Sequence, residues 1–135
     1  MAETMEETIV HVLKEKLAPF VIYLFGSTVN GTVRPNSDVD IAFLSDEKQL
    51  DPYELFMIAQ ELANLLKREV DLIDLQQAST VFQAQVVHTG KTIYCSDEKK
   101  RMEFELKAFK MYAKLNEERS VILKKISESG SVYGK

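Results

Sequence analysis

The sequence predicts an α/β fold: a small mixed β-sheet of about four strands, flanked by helices, with a long C-terminal helical segment. Three observations lead there. Short runs rich in Val, Ile, Leu, Phe and Tyr, at residues 20–25, 37–44, 70–75 and 91–95, alternate with stretches of helical periodicity. The second and third runs are separated by one helix-length amphipathic segment, which is the spacing of a βαβ unit with parallel strands. Residues 97–126 repeat apolar side chains at helical spacing for far longer than any other stretch.

Residues 3–17 read as an amphipathic helix with Met5, Ile9, Val12, Leu13 and Leu17 on one stripe. Ala18-Pro19 ends it, because the residue before a proline leaves the helical region. Residues 20–25 form the first strand, apolar enough for both faces to be covered. Residues 28–37 are a loop with the turn-forming pairs Asn30-Gly31 and Arg34-Pro35. Residues 37–44 form the second strand. Asp51, Pro52 and Glu54 then mark a helix start, as N-cap, first-turn proline and capping-box partner. That helix runs to about Lys67 and buries Leu55, Ile58, Ala59, Leu62, Ala63 and Leu66.

Val70 opens the third strand. Ser79 caps a further helix that runs to about His88 and ends at Gly90. Residues 91–95 form a short fourth strand near a sheet edge. In the last helical stretch Met102, Leu106, Phe109, Tyr112, Leu115, Ile122 and Ile126 make a stripe, widened by Phe104, Ala108 and Met111, with a bend expected near Asn116. Two readings of that wide face stand: it packs on the sheet, or part of it meets another protein. No internal repeat is present, so residues 1–127 form a single domain, with 97–127 its C-terminal helical segment and 128–135 a frayed tail.

The chemistry concentrates between the first two strands. Gly26-Ser27 closes the first, and Asp38-Val39-Asp40 opens the second. Side chains two apart on a strand point the same way, so Asp38 and Asp40 share a face. Two adjacent carboxylates in an otherwise apolar strand repel each other and lose solvation, and a bound cation removes both problems. Oxygen ligands without histidine or cysteine select Mg2+ or Mn2+ over zinc. Gly26 lets backbone approach a ligand, and Ser27 offers a hydroxyl and an amide. If a helix begins at Ser27, its free amides form an anion site. Arg34 stands in reach of a phosphate. An anion site beside a dicarboxylate suits a nucleoside triphosphate with its metal. Parallel pairing of the second and third strands sets Asp71 level with Asp38 and Asp40. It carries Asp74 further along and onto the opposite face, so Asp71 is the expected third carboxylate.

Gly26-Ser27, the ten residues that follow, and Asp38-x-Asp40 together resemble the signature of the DNA polymerase β-like nucleotidyltransferase superfamily. The order Phe-Gly-Ser-Thr-Val-Asn-Gly-Thr-Val-Arg-Pro-Asn-Ser-Asp-Val-Asp is most similar to its minimal nucleotidyltransferases, antitoxin partners of HEPN-domain ribonuclease toxins. The resemblance extends through the Val-Asp-Leu-Ile-Asp-Leu strand to Ala108, Tyr112 and Arg119. It implies a nucleotidyltransferase fold and a protein adenylyltransferase. Such an enzyme is the antitoxin of a type VII-like pair and moves AMP from ATP to a toxin tyrosine, releasing pyrophosphate. Asp38, Asp40 and Asp71 would be catalytic and metal-holding, and Gly26, Ser27 and Arg34 nucleotide-binding. Two alternatives stand beside this: an antitoxin that works by masking its toxin, and a small-molecule nucleotidyltransferase of the antibiotic-resistance kind. Little chain remains to build a drug pocket.

Composition narrows the setting. The chain has 135 residues, an ordinary apolar content of 45% and no stretch apolar enough to span a membrane. Its acidic start lacks the basic and apolar regions of a signal peptide. Cys95 is the single cysteine, so no disulfide framework or thiolate zinc site forms. These features point to a cytoplasmic protein. The net charge of −4 argues against direct nucleic-acid binding. That charge is uneven: residues 1–96 hold 7 basic and 14 acidic side chains, residues 97–135 hold 10 and 7.

Overall fold

A computed structural model of the chain describes residues 4–26, 38–46 and 50–128, with side chains to residue 119. Its elements in order are α1 (Met5–Leu17), β1 (Val21–Phe25), β2 (Val39–Leu44), α2 (Pro52–Leu66), β3 (Val70–Asp74), α3 (Thr80–Thr89), β4 (Lys91–Cys95) and α4 (Glu98–Glu128). A single 3-10 turn, Leu75–Gln77, joins β3 to α3. Ser27, Arg34 and the rest of the loop at 27–37 lie outside the described residues, as does the expected tail from residue 129.

The helix boundaries follow from local chemistry. Thr4 and Glu7 close a reciprocal capping box at the start of α1, and Asp51 and Glu54 close another at α2 with Pro52 in its first turn. Each satisfies amides that the helix itself leaves without partners. The Ser79 hydroxyl accepts from the Phe82 amide at the head of α3. Ala18, just ahead of Pro19, ends α1 in the left-handed region at φ 47°.

The strands form one sheet in the order β3-β2-β1-β4. β1 pairs antiparallel with β2 and β4, and β2 pairs parallel with β3 across the α2 crossover. α1 and α2 cover one face, where Ile9, Leu13, Leu17 and Leu62 meet Ile22, Leu24, Ile41 and Phe43. On the other face Val21, Tyr23, Ala42 and Leu44 meet Leu75, Val86, Phe82 and Phe104, from the β3–α3 turn, α3 and α4. Both faces of the central strands are therefore covered, which is why β1 and most of β2 read as unbroken apolar runs.

The orientation of α4 departs from its most apolar stripe. Ala108 is buried and Phe104 joins the second core. Between them Glu105 accepts a 2.7 Å hydrogen bond from the Tyr23 hydroxyl, and Tyr23 is only 1% exposed. Burial first, and then the Glu105 carboxylate, push the Tyr23 phenol pKa well up. Arg101 forks onto both Glu105 oxygens at 3.1 Å and onto Glu98 at 2.8 Å. These contacts turn the side bearing 101, 104, 105 and 108 toward the sheet. Met102 (54%), Leu106 (68%) and Phe109 (41%) face solvent instead. The helix runs through Asn116 without interruption.

Tyr23→Phe removes the hydroxyl but leaves Arg101 on Glu105. We expect a loss of about 1 kcal/mol, near the usual net worth of one hydrogen bond, and a Tm lower by roughly 3–6 °C. Thermal denaturation by circular dichroism checks this; an unchanged Tm would mean that the bond does not anchor α4.

Candidate active site

The pairing register sets the site. Phe25 lies opposite Asp40 in the antiparallel ladder, and Asp40 lies opposite Asp71 in the parallel one. A row Phe25–Asp40–Asp71 therefore crosses three strands at one end of the sheet. Asp38 is two residues before Asp40 and shares its face by strand parity. That face is the one covered by α3 and α4, since Ala42 and Tyr23 belong to it.

Asp74 lies elsewhere. It pairs with Phe43 on the opposite face, and its carboxylate accepts the Gln76 amide at 3.1 Å as the cap of the 3-10 turn. Its pKa is raised by burial and partly restored by that hydrogen bond. The expectation that Asp71, not Asp74, lies level with the Asp38–Asp40 pair agrees with the register.

Asp40 is half-buried, whereas Asp38 and Asp71 are exposed. Its pKa is raised by burial first, then by the charges of Asp71 and Asp38, and by a hydrogen bond with Asp71. Among the described residues no three His, Cys, Asp or Glu side chains form a ready-made metal cage. A carboxylate pair with a third acid beside it still fits Mg2+, which is commonly held by one or two carboxylates with phosphate oxygens and water completing its shell.

Gly26 ends β1 against this cluster. It sits at φ +68°, and a Cβ there would lie 2.4 Å from Oδ2 of Asp40. Only glycine accepts both the backbone angle and the carboxylate at that distance. Beyond it, α3 closes the flank: the Phe82 ring meets Phe25 edge-on, with centroids 5.4 Å apart. Sequence reading left the α3 residues out of the site, because nothing in their spacing tells which sheet end they reach. Ser27 and Arg34, expected to contact phosphate, fall outside the described residues. His88 and His11 are exposed.

Comparison with known proteins places this geometry. Residues 7–99 match the family model described as polymerase beta, nucleotidyltransferase. The chain is 39% identical over 124 residues to protein adenylyltransferase MntA of Shewanella oneidensis, covering 91% of this chain and 88% of that protein. A second MntA, from Aphanizomenon flos-aquae, is 31% identical over 83 residues, covering 55% of each. Among solved structures, a toxin–antitoxin crystal structure with AMP-PNP superimposes with a TM-score of 0.79 at 38% identity, covering 90% of this chain and 98% of that one. A tri-AMPylated Shewanella oneidensis HEPN toxin in complex with MNT antitoxin gives 0.75 at 35% identity, covering 91% and 96%.

Two outcomes follow from the site's geometry. Gly26→Ala forces a β-carbon into the Asp40 carboxyl and strains the backbone, at a cost of roughly 1–3 kcal/mol. A melting curve of the variant checks it, and an unchanged Tm would show that the turn can re-form around Ala. The second concerns pH. The Asp40 pKa is raised from its ordinary value, 3.8. Below that value the carboxyl is protonated in folded and unfolded chains alike. As the pH rises past it, the folded chain keeps a proton that the unfolded chain has lost, so stability falls until the raised pKa is passed. In chelator at neutral pH, Asp40→Asn is therefore expected to melt a few degrees above wild type. The gap should close below the ordinary carboxyl range; a gap independent of pH would contradict the charge explanation.

Proposed function

Because the chain belongs to the polymerase beta nucleotidyltransferase family, we propose that it is a protein adenylyltransferase antitoxin, transferring AMP from ATP to a tyrosine of a HEPN-domain ribonuclease toxin. The observation that carries this reading is the row of Asp40 and Asp71 in register, with Asp38 on the same face and Gly26 against Asp40. The relatives support the substrate and acceptor: one is named a protein adenylyltransferase, and one solved neighbour contains an AMPylated toxin.

In this reading Asp38, Asp40 and Asp71 are the residues that would hold Mg2+ or Mn2+. The ion, when bound, neutralises the triphosphate and stabilises the departing pyrophosphate. Gly26 and Ser27 hold the β and γ phosphates, with Arg34 as a further phosphate contact. The tyrosine oxygen attacks the α-phosphorus in line, and the bond from that phosphorus to the β-bridging oxygen breaks. Asp71, the exposed member of the row, faces the incoming hydroxyl and takes its proton. The raised pKa of Asp40 comes from burial first and then from the charges of Asp71 and Asp38, and a cation would offset both. Most of the rate then comes from positioning and charge stabilisation.

The toxin needs a surface as well as a site. Met102, Leu106 and Phe109 form an exposed apolar stripe on α4, at the spacing of one helix face. We assign it to toxin contact. The same stripe is what a masking antitoxin would use, so masking without transfer is the second reading. None of the helices, over the described residues, is long and apolar enough to cross a membrane.

Intact-mass spectrometry of the co-expressed toxin separates the two. Wild-type protein is expected to add one or more AMP units, and Asp38→Ala/Asp40→Ala none, while both still co-purify with toxin. Toxin left unmodified yet silenced by both forms would establish masking instead. Leu106→Asp/Phe109→Asp, with an unchanged Tm, is expected to weaken co-purification by at least about tenfold, as loss of apolar anchors does elsewhere. Undiminished capture would remove α4 from the interface.

A further inference from the structure

A small cavity of about 250 Å³ opens beside the carboxylate row, lined by Phe25, Gly26, Phe82, Gln85, Val86 and Thr89. Its α3 residues are spaced 82, 85, 86 and 89, one face of the helix turned toward the end of β1. Gly26 belongs to this lining and also touches Asp40, so the cavity begins where the carboxylates end. A ligand with phosphates on Gly26 would have this cavity directly beside it.

The lining has the composition of a site for a planar heteroaromatic ring. Phe25 and Phe82 meet edge-to-face at 87° and form an aromatic wall, and Val86 is buried behind them. The Thr89 hydroxyl is already spent, donating to the Gln85 backbone oxygen at 2.7 Å. The Gln85 carboxamide, by contrast, makes no hydrogen bond among the described residues, and the residue is exposed and lines the cavity. It brings two donors and an acceptor to a cavity walled by Phe25, Phe82 and Val86. A carboxamide matches adenine, which offers a donor next to an acceptor; guanine's N1–H and 2-amino edge calls for two acceptors.

We propose that this cavity is the nucleobase subsite, with Phe82 packing against the ring and Gln85 pairing with the adenine edge, so that Gln85 sets the preference for ATP over GTP. This rests on the nucleotidyltransferase reading but is separable from it. In calorimetric titrations of the whole protein with ATP or GTP in Mg2+, wild type is expected to bind ATP at least about tenfold tighter, the discrimination of one bidentate pair. Gln85→Glu supplies two acceptors and is expected to lose that preference or invert it. Phe82→Leu keeps the core filled and is expected to weaken both nucleotides alike. Toxin mass spectra with each variant then read transfer, and the KM for toxin should not move.

An unchanged ATP-to-GTP ratio in Gln85→Glu would overturn the proposal. So would a rise in the toxin KM with nucleotide binding intact, because the cavity would then hold the acceptor's tyrosine ring. If the preference switches as expected but no toxin is modified, the subsite stands and the adenylyltransferase reading falls.

Discussion

The parallel register of β2 and β3 is the constraint on which the rest depends. It sets Asp40 directly opposite Asp71 at the entry of both strands. Burial, and then the neighbouring acids, raise the pKa of the half-buried Asp40, at a cost in stability in the absence of a cation. The fold accepts that cost because what encloses the row is well determined. α2 has a capping box at its start and a buried Leu62 within, which fixes the crossover that makes the two strands parallel. On the other side of Asp40, β1 ends at Gly26, the residue type that a positive φ and a carboxylate in van der Waals range require. The local weakness of the site is thus held by rigid neighbours, as in other sites that store strain for function.

The second feature is the division of labour along α4. Its sheet side is not its most apolar side. A polar anchor, Tyr23 to Glu105 with Arg101 forked onto the same carboxylate, holds the helix at one rotation, and Ala108 lets it come close. Larger apolar residues are then left outward, at Met102, Leu106 and Phe109. A monomer gains nothing from that arrangement, since an exposed apolar stripe of this kind marks a surface meant to be covered. In the reading advanced above, one face of α4 belongs to the enzyme and the other to its protein substrate.

How much of this was legible in the residues can be said position by position. The helix starts at Thr4, Asp51 and Ser79 rest on local hydrogen bonds; local rules found the last two and began the first helix two residues early. The parallel pairing of the second and third strands and the placing of Asp71, not Asp74, level with Asp40 followed from one topological rule, that a βαβ unit is parallel, together with the two-residue period of a strand. The rotation of α4 was not legible, because it depends on a hydrogen bond between Tyr23 and Glu105, residues 82 apart in the chain. The cavity flanked by Phe82 and Gln85 was hidden for the same reason: helical spacing says which residues share a face, but not what that face meets. The phosphate-binding parts of the expected site, Ser27 and Arg34, lie outside the described residues, so their roles remain those that the motif implies.

The central claim is that three carboxylates at one end of the sheet form a cation-dependent nucleotide site. The most direct test is a crystal structure of this protein with AMP-PNP and Mn2+, read by anomalous scattering at the manganese edge. The account predicts an anomalous peak between Asp38 and Asp40, with Asp71 beside it and the triphosphate running to Gly26. A peak elsewhere, or a nucleotide bound away from this row, would contradict it.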